Sequence, residues 1–150
     1  MLYYGYKLHA VCPVEGVFQS LDISPASVHD IHYLKDIKQE IKDCTLRGDK
    51  GHLSAEYHLD FTSHKIKLEV PIRKNQKDYK NQPYIMRKSR KRIETLFSQL
   101  CEKFMIRRNY AKSFLGFKTR VLSKITTITI IQTINKSANR NINNLKINIV

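Results

Sequence analysis

A chain of 150 residues with 41% hydrophobic side chains is long enough for one domain with its own core and too short for two full ones. Its formal charge of +14, from 27 Lys plus Arg against 13 Asp plus Glu, attracts polyanions at long range, nucleic acid ahead of a membrane surface. Three scattered cysteines, Cys12, Cys44 and Cys101, indicate neither a disulfide framework nor a zinc ribbon, and they fit a reducing cytoplasm. Lys124 interrupts the one long apolar run, residues 121 to 134, and MLYYGYKLHAV has no basic leader before an apolar core, so neither a membrane span nor a secretory signal is read. The charge is concentrated: residues 65 to 108 hold 14 Lys or Arg and 4 Asp or Glu, ten of the fourteen net charges.

Residues 3 to 12 and 17 to 23 are rich in aromatic and β-branched side chains and flank Pro13-Val14-Glu15-Gly16, a pattern that predicts an antiparallel hairpin. Ser27 is placed as an N-cap, with Asp30 in the first turn and Val28, Ile31, Leu34, Ile37 and Ile41 at helical spacing behind it. His29 and His32 lie three apart on that helix; without a third ligand beside them they read as a solvated edge. Residues 43 to 51, DCTLRGDKG, form a short strand ending in Gly-Asp-Lys-Gly, which sets Asp49 at the carboxyl end of a strand, where ligands bind in α/β folds. The plainer alternative makes Asp49 a turn residue bonded to its own loop. Ser54 caps a short segment, Ala55 to Phe61, and residues 66 to 72, IKLEVPI, form a strand that Pro71 assigns to an edge.

Residues 73 to 92 are polar and basic, broken by Pro83, with Tyr79 and Tyr84 interleaved, a composition suited to phosphate contacts and stacking or to a solvated linker. Then comes RKSRKRIETLFSQLCEKFMIRR, in which Ile93, Leu96, Phe97, Leu100, Cys101 and Phe104 recur every three or four residues along one side of a helix. Glu94 falls at the edge of that stripe among Arg87, Arg90, Ser98 and Cys101; alternatively, Arg90 and Glu94 form an ordinary solvent-exposed pair. Residues 121 to 134, VLSKITTITIIQTI, have strand propensity but a Leu122, Ile125, Ile128, Ile131 spacing, and we assign them to a helix. An asparagine-rich stretch, residues 135 to 150, is expected to be a polar tail behind a domain of residues 1 to 134.

Two carboxylates brought together can bind Mg²⁺, and a pair of such ions stabilises the attacking and leaving oxygens of a phosphodiester. Asp49 and Glu94 are the candidates, and their spacing in the chain is by itself a weak signal. The ordered series YYGYKLHAV, SPASVHDIHYLKDI, GDKGHL and RKSRKRIETLFSQLCEKFMIRRNYAKSFLGFKTR, across residues 3 to 134, resembles the carboxyl-terminal half of bacterial insertion-sequence transposases of the DDE type. Within the insertion-sequence-four-like group it is most similar to the nine-eighty-two family.

The resemblance implies an α/β, RNase H-like core with added carboxyl-terminal helices, in which three acidic residues hold divalent metal, Mg²⁺ or Mn²⁺, for DNA strand cleavage and transfer. Asp49 matches the second aspartate and Glu94 the glutamate, both as catalytic metal ligands, and Arg90 matches the arginine four residues before that glutamate. Arg87 stands where tyrosine is common, and Cys101, with Lys103 nearby, at the lysine spacing. The first aspartate belongs to a strand before the GYKLH hairpin; Asp22 and Asp30 do not match it, and no such strand precedes Leu2. The expectation is therefore an incomplete core that lacks its first strand and has little activity alone, with the missing amino-terminal half or an intact transposase as partner. DNA, as insertion-sequence ends and target, is the other partner, in the bacterial cytoplasm and away from membranes. Its expected contacts are Lys50, Arg73, Lys74, Lys77, Arg87, Lys88, Arg90, Lys91, Arg92, Lys103, Arg107 and Arg108. The competing function is a non-enzymatic basic module that binds DNA or RNA or regulates an intact transposase.

Overall fold

The aromatic and β-branched residues of the first forty become an antiparallel pair, β1 (Tyr6–Val11) and β2 (Ser20–Pro25), in a computed structural model that describes residues 5–48, 61–71, 81 and 83–145. The register runs from Tyr6 opposite Pro25 to Val11 opposite Ser20, and Pro13 O accepts from Gly16 N at 2.9 Å in the connection. The chain divides into two units, Met1–Val11 with Ser20–Ser89, and Cys12–Gln19 with Arg90–Val150. Both contain helix, and the strands belong to the first, so the α/β class expected from the sequence holds.

In the first unit, helix α1 (Ile31–Glu40) starts at Ile31, not behind Ser27. The reason is Lys7, whose ammonium donates to Val28 O at 3.0 Å and to Asp30 Oδ1 at 2.9 Å. A turn at residues 25 to 28, closed by Val28 N donating to Pro25 O at 3.0 Å, precedes the helix, and Asp30 becomes the N-cap with its carboxylate paired to Lys7 and making no cap hydrogen bond. Tyr33 locks α1 to the hairpin: its hydroxyl meets Ser20 Oγ at 2.9 Å and its ring stacks on His9 with centroids 5.1 Å apart. His9 in turn bonds Ser24 at 2.8 Å. Leu34, Ile37 and Ile41 form the buried stripe of α1 and cluster with Phe61 and Ile66, with Val11, Cys44 and Leu46 packed at the margin.

Cys44, Leu46 and Ile66 belong to a second ladder, β3 (Cys44–Arg47) and β4 (Ile66–Glu69), which pair in parallel with Cys44 opposite Ile66 and Arg47 opposite Glu69. The pairing runs on by one bond, Gly48 N to Glu69 O at 3.1 Å. Glu69 receives Lys67 Nζ at 2.9 Å and Arg47 Nε at 3.0 Å. The hydrogen bond from Lys67, with Arg47 adding, outweighs partial desolvation and holds the Glu69 carboxyl below its ordinary value.

The second unit holds most of a helix that spans both, α2 (Tyr84–Glu102), and a 24-residue helix, α3 (Phe114–Ser137). Pro83 opens α2, its carbonyl accepting from Met86 and Arg87, as suits a residue with no amide proton to lose. Ser113 caps α3 through its hydroxyl, which accepts from Gly116 N at 3.2 Å. The expected helix over residues 121 to 134 is thus present and longer. Its buried face is Val121, Ile125, Ile128, Gln132 and Asn135: Ile125 and Ile128 of the expected stripe lie on it, whereas Leu122 is exposed and Ile131 half-buried, their places taken by Val121 and Gln132. On α2 Leu96 and Leu100 are buried. Along α3 the hydroxyls of Thr119, Ser123, Thr127, Thr129 and Thr133 each donate to the carbonyl four residues earlier. No helix among the described residues is long and apolar enough to cross a membrane.

The β1–β2 connection is seated in this unit by side-chain amides and one guanidinium. Gln132 Nε2 donates to Gly16 O at 2.6 Å, Asn143 Nδ2 to Glu15 O at 2.9 Å, and Arg92 Nε to Val14 O at 3.2 Å. Phe18 meets Phe97 edge-on with ring centroids 6.4 Å apart. Beyond α3, Leu145 is buried, and Asn135 and Gln99 donate to the carbonyls of Asn144 and Asn143. Part of the asparagine-rich stretch therefore packs as structure.

Gly16 has φ +89°, and a Cβ placed there would lie 2.5 Å from Arg92 Cδ and 2.8 Å from Asn143 Oδ1. Gly16→Ala is expected to cost about 1–3 kcal/mol, measured as a shift in urea midpoint. The cost should shrink in an Arg92→Ala background, where the nearest atom is gone; equal costs in both backgrounds would refute the steric account. Because its folded-state value is depressed, Glu69 contributes stability that is complete above the ordinary carboxyl value of 4.5 and is lost as pH falls through the lower folded value. Glu69→Gln should accordingly flatten the acid side of a stability profile followed by circular dichroism and leave the neutral side parallel to wild type.

Candidate metal and nucleic-acid site

Helix α2 turns its two sides to different tasks. With Leu96 and Leu100 buried, residues three or four positions apart on the other side form a ridge reaching solvent: Arg87, Arg90, Lys91 and Glu94 are all exposed. The Glu94 side chain is 60% exposed and accepts from Arg90 Nε at 2.7 Å, an i,i+4 pair with the acid carboxyl-terminal to the base. An exposed pair of this kind contributes little stability. Ser98 points its hydroxyl to Glu102 at 2.8 Å, one turn farther along.

The other expected positions divide three ways. Lys88, Lys103, Arg107 and Arg108 are exposed, the last three at the end of α2 and in the turn after it. Arg92 is half-buried, its Nε committed to Val14 O and its methylenes lying against Gly16, so its observed contacts are structural. Asp49, Lys50, Arg73, Lys74 and Lys77 lie outside the described residues. Asp22 sits exposed on β2 and Asp30 is bound by Lys7.

Among the described residues no group of three or more His, Cys, Asp or Glu is arranged to hold a metal ion. The donor chemistry of the candidate pair, two carboxylates, is the oxygen chemistry a hard divalent cation takes. Of the two, Glu94 is an exposed carboxylate on helix α2. Two of the cysteines are poor thiolate nucleophiles: burial pushes the Cys12 thiol up against the opposing charge of Arg92, and burial with Asp43 raises Cys44.

Two features were not anticipated. The seating of residues 14 to 16 joins amides and carbonyls 78 to 128 positions apart in the chain, and no local pattern announces such contacts. The cationic surface also continues past Arg108, through exposed Lys112, Lys118 and Arg120, and the absence of any Asp or Glu after Glu102 was the signal available for it.

Comparison with known proteins places this geometry in a lineage. The chain is 33% identical over 63 residues to the transposase for insertion sequence element IS1106 of Neisseria meningitidis serogroup B. That match spans 41% of this chain and 22% of the relative. No solved structure matches. The family model of the transposase DDE domain matches residues 2–130, a span that takes in both ladders, all of α2 and most of α3. On that match the chain belongs to the transposase DDE domain family.

Proposed function

We propose that this chain acts on DNA in transposition, by metal-dependent strand cleavage and strand transfer on an RNase H-like core, and that its nearest kin are the nine-eighty-two insertion-sequence transposases. The observation that carries the reading is Glu94, solvent-exposed on α2 and oriented by Arg90 within the segment RKSRKRIETLF, in a chain of the DDE family. Asp49 and Glu94 would hold Mg²⁺ or Mn²⁺. Such an ion, when bound, supplies positive charge to the phosphate undergoing attack.

The chain's own side chains have separate tasks. Arg87, Lys88 and Lys91 on α2, with Lys103, Arg107 and Arg108 beyond it, neutralise backbone phosphates and set the register of the DNA. Arg90 is a positioning residue for Glu94. Asp22 is exposed on β2 and Asp30 is held by Lys7, and neither is assigned as a metal-binding carboxylate. DNA as substrate implies the bacterial cytoplasm.

The net charge of +14 supports a second reading, a non-enzymatic basic module that binds DNA or RNA or regulates an intact transposase. A nicking assay on DNA carrying insertion-sequence ends separates the two. Cleavage above background in Mg²⁺ or Mn²⁺ should disappear with Asp49→Ala or Glu94→Ala, while gel-shift binding changes by less than roughly threefold. Cleavage indifferent to both substitutions overturns the ligand assignment; binding with no cleavage under any condition selects the regulatory module. Binding should weaken steeply with salt, and Arg87→Ala or Lys91→Ala should each reduce the logarithmic salt slope by about 1.

A further inference from the structure

Beyond Glu102 the chain carries ten Lys or Arg and no Asp or Glu, and seven of those cations fall between Lys103 and Lys124. In the middle of that cationic segment stands Tyr110, whose 80% exposure is the highest of the large apolar side chains among the described residues. It is not on a loose loop. On one side Asn109 Nδ2 donates to Phe117 O at 3.2 Å, and on the other Ala111 N donates back to Asn109 Oδ1 at 3.2 Å. Upstream, Ile106 N bonds Leu100 O at 3.0 Å, Arg108 N bonds Met105 O at 2.9 Å, and Lys124 Nζ reaches the same Met105 carbonyl at 2.9 Å. The turn between α2 and α3 is thus fastened to both helices, and it presents an aromatic ring to water at full hydration cost.

Arg107, Arg108 and Lys112 are exposed within three positions of that ring and form no ion pair with a carboxylate among the described residues. An apolar face flanked by unneutralised cations matches a nucleobase with a phosphate on either side. A duplex hides its base faces in the stack, so only an unpaired or extruded base presents such a face. We infer that Tyr110, flanked by Arg107, Arg108 and Lys112, is a stacking platform for an unpaired base of single-stranded DNA. It shares the DNA substrate of the proposed function but none of its metal ligands, so the two readings can fail separately.

The test uses the full chain and two fluorescein-labelled probes, a 20-nucleotide oligothymidine and a blunt 20-base-pair duplex, with affinities read by anisotropy at fixed salt. Tyr110→Ala should weaken single-strand binding roughly 5- to 100-fold and leave duplex binding within about twofold, whereas Tyr110→Phe keeps both. A 2-aminopurine base placed in the single strand should be quenched by wild type and by Tyr110→Phe, and not by Tyr110→Ala. Since Tyr110 is exposed, unchanged circular dichroism verifies that the variants are folded. Equal weakening of both probes, or single-strand affinity and quenching that survive Tyr110→Ala, overturns the platform while leaving the nicking result untouched. Failure of wild type to bind either probe overturns both readings.

Discussion

Three carbonyls in the loop at residues 14 to 16, each taken by a side chain from α2, α3 or the segment after α3, are the constraint on which the second unit rests. A loop that follows a strand has polar backbone groups that a core cannot leave unsatisfied, and here Arg92, Gln132 and Asn143 provide the donors. The arrangement works only because Gly16 has no side chain: its φ of +89° and its distance from Arg92 exclude any other residue without displacement. Gln132 is 3% exposed on the buried face of α3; its Nε2 is spent on Gly16 O, while its buried Oε1 has no hydrogen-bond partner among the described residues. The same helix therefore supplies hydrophobic burial and a directional latch, and the latch specifies where the loop lies in a way that non-directional burial does not.

Helix α2 shows how one element supports a core and a surface site together. Leu96 and Leu100 anchor it, and Arg92 holds the loop, so its backbone has little freedom when the exposed ridge meets a ligand. Groups held on a helix keep their mutual geometry better than groups on a loop, which is why Arg90 and Glu94 can act as a set pair. The division of labour among neighbours is sharp: Lys91 faces solvent while Arg92 turns inward to a carbonyl. Composition alone counts both as DNA-binding charge, and only packing separates them.

Periodic features were readable from the residues, and long-range polar ones were not. Helices form over both stripes of three-to-four spacing, α2 ending at Glu102 instead of reaching residue 108 and α3 starting at Phe114 instead of 121, and the hairpin foreseen from its composition has its strands at Tyr6–Val11 and Ser20–Pro25. The start of α1 was misjudged because Ser27 and Asp30 carry strong local capping signals, whereas the deciding contact comes from Lys7, more than twenty positions away. The shift of the α3 stripe from Leu122 to Val121 has the same origin, since Gln132 and Asn135 belong to the buried face and a hydrophobic count passes over them. For the site, the ridge on α2 and its Arg90–Glu94 pair were legible from i,i+4 spacing. Asp49 falls outside the described residues, and its proposed role rests on the resemblance alone.

The hydroxyls of α3 change what its outer side is made of. Thr119, Ser123, Thr127 and Thr133 are exposed residues, yet each spends its proton on the helix's own backbone. Three of the four are threonines, on a helix that also exposes Leu115, Leu122, Ile130 and Ile134. A hydropathy scale scores every threonine by its oxygen, so it records this flank as half wettable, whereas the solvent meets a coat much closer to hydrocarbon than the letters imply.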